Sequence, residues 1–193
     1  MPWNAEHKQK SRGKILSSAA RLFTKKGFDA VSIDDVMQHA GLTRGAFYAH
    51  FKSKSDVYSQ SVLHGAHKAK EHLCKLGVNT PIGLAEDYLK IGTKETEQEY
   101  CTLAFLVTDM AHRERQVKST YTRVLKGYQD LLCELGMSEK TAIQASILLI
   151  GGLAISRAIT DKELKSKMLA QCLEAVKTLQ AGDHESPRNR GSI

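Results

Sequence analysis

Apolar residues recur along this chain at the three- and four-residue spacing of helices rather than the alternation of strands. In the first such stretch, about residues 8–26, an apolar stripe ends at Gly27. The three prolines stand at positions 2, 81 and 187, so they leave long helices uninterrupted. The pattern predicts an all-α protein.

The same periodicity predicts further helices, and glycines at 41, 77 and 136 are expected to end three of them. A helix over about 54–76 would connect the amino-terminal part of the chain to the rest. The other predicted segments are about 33–40, 44–50, 81–91, 101–111, 115–135, 139–160 and 162–181. We expect two domains, over residues 8–53 and 54–182, with a flexible tail over 183–193.

Residues 32–54 have the pattern of a helix-turn-helix. Ser32 can cap the first helix while Asp35 reaches back from three residues later, and Gly41 provides the turn. Thr43 is a candidate cap for the second helix, which begins with small or hydrogen-bonding side chains. A helix of this kind can approach base edges closely in the DNA major groove. Phe47 is expected to be structural.

Charge is concentrated on this segment. Residues 1–54 carry ten Lys or Arg and four acidic residues, while the remainder of the chain has 18 basic and 17 acidic side chains. A solvated basic face would give the same count, but its coincidence with the motif favours nucleic-acid binding.

The amino-terminal pattern resembles the TetR/AcrR family of bacterial transcriptional regulators, most strongly over about residues 10–65. The matching positions are Ile15-Leu16, Leu22-Phe23, Gly27-Phe28, Ser32, Ala40-Gly41, Thr43, Gly45, Phe47-Tyr48, His50-Phe51 and Lys52-Ser53-Lys54. The resemblance implies a three-helix DNA-binding module joined by a long helix to a helical ligand-binding and dimerisation domain. By carry-over, the expected DNA-binding residues are Ser32, Thr43, Arg44, Gly45, Tyr48, His50 and Lys54.

The resemblance also implies partners. We expect a homodimer on a palindromic double-stranded operator, acting as a repressor and released by a small-molecule inducer. The helices over 139–160 and 162–181 would pack against their symmetry mates, with Gly151 and Gly152 allowing close approach, although both helices could belong to a monomeric core. Candidate inducer-pocket residues are Tyr88, Cys101, Phe105, Asp109, His112, Tyr121 and Tyr128.

Two other groups of residues have the composition of a functional site. Cys101 could sense oxidants, but buried free cysteines are more often packing residues. The histidines at 64, 67 and 72, with Glu71 and Cys74, have the composition of a metal site, yet an ordinary helix surface is favoured. We therefore expect no metal and no cofactor.

Other functional classes lack support in the sequence. The chain has none of the motifs GxxxxGK[ST], GxGxxG, HExxH or GxSxG, so we expect no enzymatic activity. An apolar leader is absent and the longest apolar stretch is too short to cross a bilayer, which predicts a cytoplasmic protein without a membrane partner. A helical protein-binding adaptor would not explain the amino-terminal charge, and an activator of the same architecture stays open.

Overall fold

The computed structural model describes residues 5–93 and 101–185, and within them ten α-helices and no strand. This confirms the all-α prediction. The helices are α1 (Ala5–Lys26), α2 (Ile33–His39), α3 (Arg44–Phe47), α4 (Lys54–Lys75), α5 (Pro81–Thr93), α6 (Thr102–Phe105), α7 (Val107–Met110), α8 (Arg115–Glu134), α9 (Glu139–Ser156) and α10 (Lys162–Glu185). None of these described helices has the length and apolar content needed to span a membrane.

The long helices begin and end close to the predicted positions. Gly41, at the turn between α2 and α3, has a φ of 67°, the left-handed conformation that a residue with a Cβ rarely adopts. Its N–H donates to the carbonyl of Gln38, and the N–H of Leu42 donates to that of Met37, both at 3.0 Å. These bonds satisfy carbonyls at the end of α2 and confirm the predicted turn.

Two predicted helices are shorter than expected. The segment over about 101–111 forms two single turns, α6 and α7, because Leu106 between them leaves the helical region, with φ −110° and ψ 1°, and is fully buried. The expected helix over 44–50 stops at Phe47, whose carbonyl accepts from the N–H groups of His50 and Phe51 at 2.9 and 3.0 Å. Residues 48–50 are therefore turns.

The chain divides into two compact units. Within the described residues, the amino-terminal unit draws on Met1–His72 and Thr96–Leu125, and the carboxy-terminal unit on Leu73–Glu95 and Lys126–Ile193. Most of α4 thus packs with the amino-terminal helices: the ring of Tyr58 meets that of Phe23 edge-on, with centroids 4.8 Å apart. Because packing and function can divide a chain at different residues, the functional boundary predicted at residue 54 stays a prediction.

In the carboxy-terminal unit, α9 packs closely against α10. Leu149 and Leu153 of α9 and Val176 of α10 are fully buried. A Cβ added at Gly152 would lie 2.5 Å from the Sγ atom of Cys172, so Gly152 permits close approach to α10 of the same chain. The expectation that Gly152 faces a symmetry mate is therefore wrong, because α10 already occupies that side.

The end of α10 is anchored. We expected a flexible tail over residues 183–193, but the helix continues to Glu185; residues 186–193 lie outside the described residues. The carboxylate of Asp183 accepts from the N–H and the hydroxyl of Ser138, at 2.9 and 2.7 Å, and from the hydroxyl of Thr141 at 2.8 Å. Ser138 is the N-cap of α9, so Asp183 fixes the start of one helix from the end of another.

Asp183→Ala should lower the free energy of unfolding by about 1–3 kcal/mol, because it removes a charged acceptor from three donors. Denaturant unfolding followed by circular dichroism measures the change. Asp130→Ala, at an exposed acidic residue of α8, is the control and should stay within about 0.5 kcal/mol of wild type. Equal stability of the two variants would show that the anchor contributes nothing.

Candidate nucleic-acid interface

The start of α2 is held by a capping box, as predicted. The N–H of Asp35 donates to the hydroxyl of Ser32 at 3.0 Å, and the N–H of Ser32 donates back to the Asp35 carboxylate at 2.7 Å. The Ser32 hydroxyl also donates to that carboxylate at 2.6 Å, and these bonds hold the pKa of Asp35 below its ordinary value. A phosphate approaching Ser32 would therefore have to compete with Asp35 for the same donors.

The exposed part of the motif begins at the next turn. Thr43 occupies the N-cap position of α3 with an extended backbone, but its side chain makes no capping hydrogen bond, contrary to our expectation. Thr43, Arg44 and Gly45 are all exposed, and a Cβ at Gly45 would meet nothing within 4 Å. The start of α3 is thus an open surface that another molecule can approach closely.

Arg44 lies against the preceding helix. Its Nη1 donates to Oδ2 of Asp34 on α2 at 2.7 Å, and both side chains are more than half exposed. An ion pair this exposed contributes about 0–1 kcal/mol. The guanidinium can therefore leave Asp34 for another acceptor at little cost.

Phe47 and Tyr48 are neighbours in sequence, but the Phe47 ring is buried and the Tyr48 side chain is mostly exposed. Phe47 is fully buried and packs on Phe51 with centroids 5.6 Å apart, which confirms its predicted structural role. Tyr48 is 59% exposed, although its ring meets Phe47 edge-on at 5.3 Å. Tyr48 thus packs through its ring and still offers most of its side chain to solvent.

The placement of His50 does not fit the expected phosphate contact. Both ring nitrogens are buried, and neither has a hydrogen-bond partner among the described residues. Burial, then the nearby charges of Lys8 and Arg12, lowers the pKa of His50 and favours the neutral ring. In this conformation neither ring nitrogen is exposed, which disfavours the phosphate contact expected of His50.

Lys54 belongs to a charged cluster that sequence reasoning missed. Its Nζ lies 4.3 Å from the centroid of the Phe28 ring, and the guanidinium carbon of Arg113 lies 4.5 Å from the same centroid. Arg113 donates through Nη1 and Nη2 to the two carboxylate oxygens of Asp29, at 3.2 and 2.9 Å. We define Phe28, Asp29, Lys54 and Arg113 as the Phe28 cluster.

The Phe28 cluster continues into the interior of the amino-terminal unit. Tyr58 donates to the carboxylate of Asp109 at 2.5 Å, and Asp109 pairs with Arg113 at 3.5 Å. Burial, then the bond to Asp109, raises the pKa of Tyr58, so its hydroxyl stays protonated and donating. Asp29 pairs with a residue 84 positions away, and no sequence pattern links the two.

The seven candidate inducer-pocket residues fall in both units. Tyr88 and Tyr128 of the carboxy-terminal unit pack with their rings tilted by 35° and their centroids 5.3 Å apart. In the amino-terminal unit Tyr121 donates to the carbonyl of Leu103 at 2.7 Å, and the Asp109 carboxylate interacts with Tyr58 and Arg113. The other three, also in that unit, are Cys101 and Phe105, both half-buried, and His112, which is exposed.

A groove of about 620 Å³ in the amino-terminal unit is lined by residues 48–53, by Glu114 and by parts of α4 and α8. None of the seven candidate pocket residues lines it. At the sequence-derived metal candidate, His64 instead shares a 2.9 Å hydrogen bond with Ser17. Among the described residues no three His, Cys, Asp or Glu are grouped to hold a metal ion.

Known proteins resemble this chain most strongly over the motif. The family described as bacterial regulatory proteins, tetR family, matches residues 15–60. The transcriptional regulator TtgR of Pseudomonas putida is 36% identical over 70 residues, covering 36% of this chain and 33% of TtgR. IcaR of Staphylococcus aureus, named as a negative transcriptional regulator of a biofilm operon, is 37% identical over 51 residues, covering 26% of this chain and 27% of IcaR.

These curated relatives are thus matched over about a third of their length or less. The likeness in fold is wider. A TetR-family transcriptional regulator from Cytophaga hutchinsonii superposes with a TM-score of 0.74 at 18% identity, covering 91% of this chain and 96% of that one. At this identity the match shows a common fold of amino-terminal helix-turn-helix and helical carboxy-terminal part.

Phe47→Ala should destabilise the amino-terminal unit by about 3–5 kcal/mol, because it removes a fully buried ring. Tyr48→Ala should cost at most about 1 kcal/mol, the contribution of one aromatic contact. Thermal unfolding of the two variants beside wild type measures both effects. A Tyr48→Ala variant as unstable as Phe47→Ala would show that Tyr48 is a core residue.

Proposed function

The chain belongs to the TetR family of bacterial regulatory proteins, and from that premise we propose that it is a DNA-binding transcriptional regulator. It acts as a homodimer on a palindromic operator, and a small-molecule inducer releases it. The observation that carries the proposal is the exposed start of α3, supported by the buried Phe47 within the segment that the family matches.

The proposed contacts follow from exposure and chemistry. Arg44 and Gly45 lie at base edges in the major groove, and Thr43, Tyr48 and Lys54 bind phosphates. The net charge of residues 1–54 supports this assignment, because phosphate neutralisation supplies much of the affinity for DNA. Ser32 and His50 are not among the proposed contacts, because the Ser32 hydroxyl donates to the Asp35 carboxylate and the His50 ring nitrogens are buried.

The proposed dimer uses one face of α9. Ile143, Ile147 and Ile155 are spaced at multiples of four residues, so they share one face, and they are 41%, 66% and 52% exposed. Gly151 lies on the same face, and a Cβ there would meet nothing within 4 Å. An apolar stripe of this kind fits a second copy of the helix, and a twofold dimer presents two α3 helices about 34–36 Å apart.

We propose repression as the direction of regulation and release by an inducer as its control. Repression is supported by the name of IcaR, a negative regulator, while an activator of the same architecture is an outcome of the tests. Release requires that the inducer bind more tightly to a conformation with wrongly spaced α3 helices. The seven candidate pocket residues stay a prediction, and we place the protein in the cytoplasm, where the operator is.

Arg44→Ala should weaken binding to the selected operator about 10- to 100-fold and relax the preference at one base position in each half-site. Selection of bound duplexes from a random pool, followed by gel shifts, measures both effects. Arg123→Ala, at an exposed residue of α8, removes the same charge and should leave the preference unchanged.

An unchanged sequence preference in Arg44→Ala would reject the base-reading role of Arg44. Failure of the wild-type dimer to select any duplex would reject the DNA-binding proposal itself. Selection of asymmetric sites would contradict the palindromic operator.

Ile147→Glu should convert the dimer to a folded monomer, because it places a charge in the centre of the proposed apolar interface. Sedimentation equilibrium measures the mass, and circular dichroism checks the fold. Gln116→Glu, which adds the same carboxylate at an exposed position of α8, should remain dimeric. A dimeric Ile147→Glu protein would move the interface away from this face.

A further inference from the structure

The Phe28 cluster sets two cations and one carboxylate around a single ring. Arg113 is 12% exposed and holds both oxygens of Asp29, while Asp29 is 80% exposed and adjoins Phe28 in sequence. Lys54 contacts the same ring. Asp29 is therefore paired with Arg113 and lies within electrostatic range of Lys54.

Arg113 is the better partner for Asp29. A planar guanidinium binds a carboxylate through two parallel hydrogen bonds, whereas an ammonium acts as a point charge. Asp109 also holds the arginine in place: the carbonyl of Asp109 accepts from its Nε at 3.2 Å, and the carboxylate lies 3.5 Å away. Asp109 therefore holds the guanidinium in position independently of its hydrogen bonds to Asp29.

We propose that Arg113 is a positioning residue for DNA binding, because it occupies Asp29 and so leaves the ammonium of Lys54 available to a phosphate. This inference rests on the proposed function. Arg113 lies outside residues 15–60, the segment that the family description matches, and follows α6 and α7 in the sequence.

The electrostatics of the cluster agree with this role. The pKa of Asp29 is lowered, first by its hydrogen bond to Arg113 and to a smaller extent by the charges of Arg113 and Lys54. Asp29 is thus ionised at neutral pH and within electrostatic range of Lys54. Without Arg113, Lys54 is the remaining nearby cation of the cluster, and an Asp29–Lys54 pair would oppose a phosphate contact.

Arg113→Met tests the inference, because methionine keeps a long side chain beside Phe28 but has neither charge nor donors. The slope of log K against log salt for operator binding should become shallower by about 0.9 for each subunit, the loss of one phosphate contact. Asp29→Asn in the same chain should restore the wild-type slope by removing the carboxylate that captures Lys54. Asp29→Asn alone should not weaken binding.

Two controls separate this role from a structural one. Arg115→Met removes the same charge from an exposed residue of α8 and should leave the slope nearly unchanged. In a Lys54→Met background, Arg113→Met should change the slope no further. Thermal unfolding is measured throughout, and Arg113→Leu, which also lacks charge and donors, carries the same expectations if Arg113→Met is too unstable to assay.

The outcomes distinguish the inference from the function on which it rests. If wild type binds its operator and Arg113→Met has the wild-type slope, Arg113 does not position Lys54. If Asp29→Asn fails to rescue Arg113→Met, the arginine acts through the packing of Asp109 and Tyr58 instead. If wild type binds no duplex, the proposed function itself fails.

Discussion

A four-residue helix does not hold its shape in water, because helix nucleation costs more than one turn returns. The segment α3 therefore depends on the burial of Phe47, and the turn after it closes on the Phe47 carbonyl. This single anchor leaves Thr43, Arg44 and Gly45 on the outside, where polar side chains keep their freedom. The proposed base-contacting surface at the start of α3 therefore depends on the burial of the Phe47 ring.

A second constraint joins this surface to distant parts of the chain. Tyr58 of α4 packs on Phe23 and Phe28 and donates to Asp109, so the first turns of α4 are fixed from both sides. Lys54 starts the same helix, and its position is therefore set by residues outside the helix-turn-helix. Changes at Asp109 or Arg113 would reach the proposed phosphate contact through packed side chains, without passing through α3.

Local patterns in the sequence predicted local structure well. The Ser32 cap, the turn at Gly41 and the burial of Phe47 each follow from chemistry within a few residues, and the structure confirms them. Periodicity could not predict the break at Leu106, since apolar spacing continues through it. The Asp29–Arg113 and Ser138–Asp183 pairs, and the buried nitrogens of His50, depend on tertiary packing that carries no sequence signal.

Three of the four acidic residues of the positively charged segment lie in or beside the helix-turn-helix, and each of these three has a specific partner. Asp35 caps α2, Asp34 pairs with Arg44, and Asp29 pairs with Arg113. The first two partners come from the motif itself, so their pairing leaves its charge balance unchanged. Arg113 comes from outside residues 1–54, so among these three pairs it is the Asp29–Arg113 pair that brings a neutralising charge to the segment. The negative charge of Asp29, beside Phe28, is therefore neutralised by Arg113, which belongs to the second sequence segment of the amino-terminal unit.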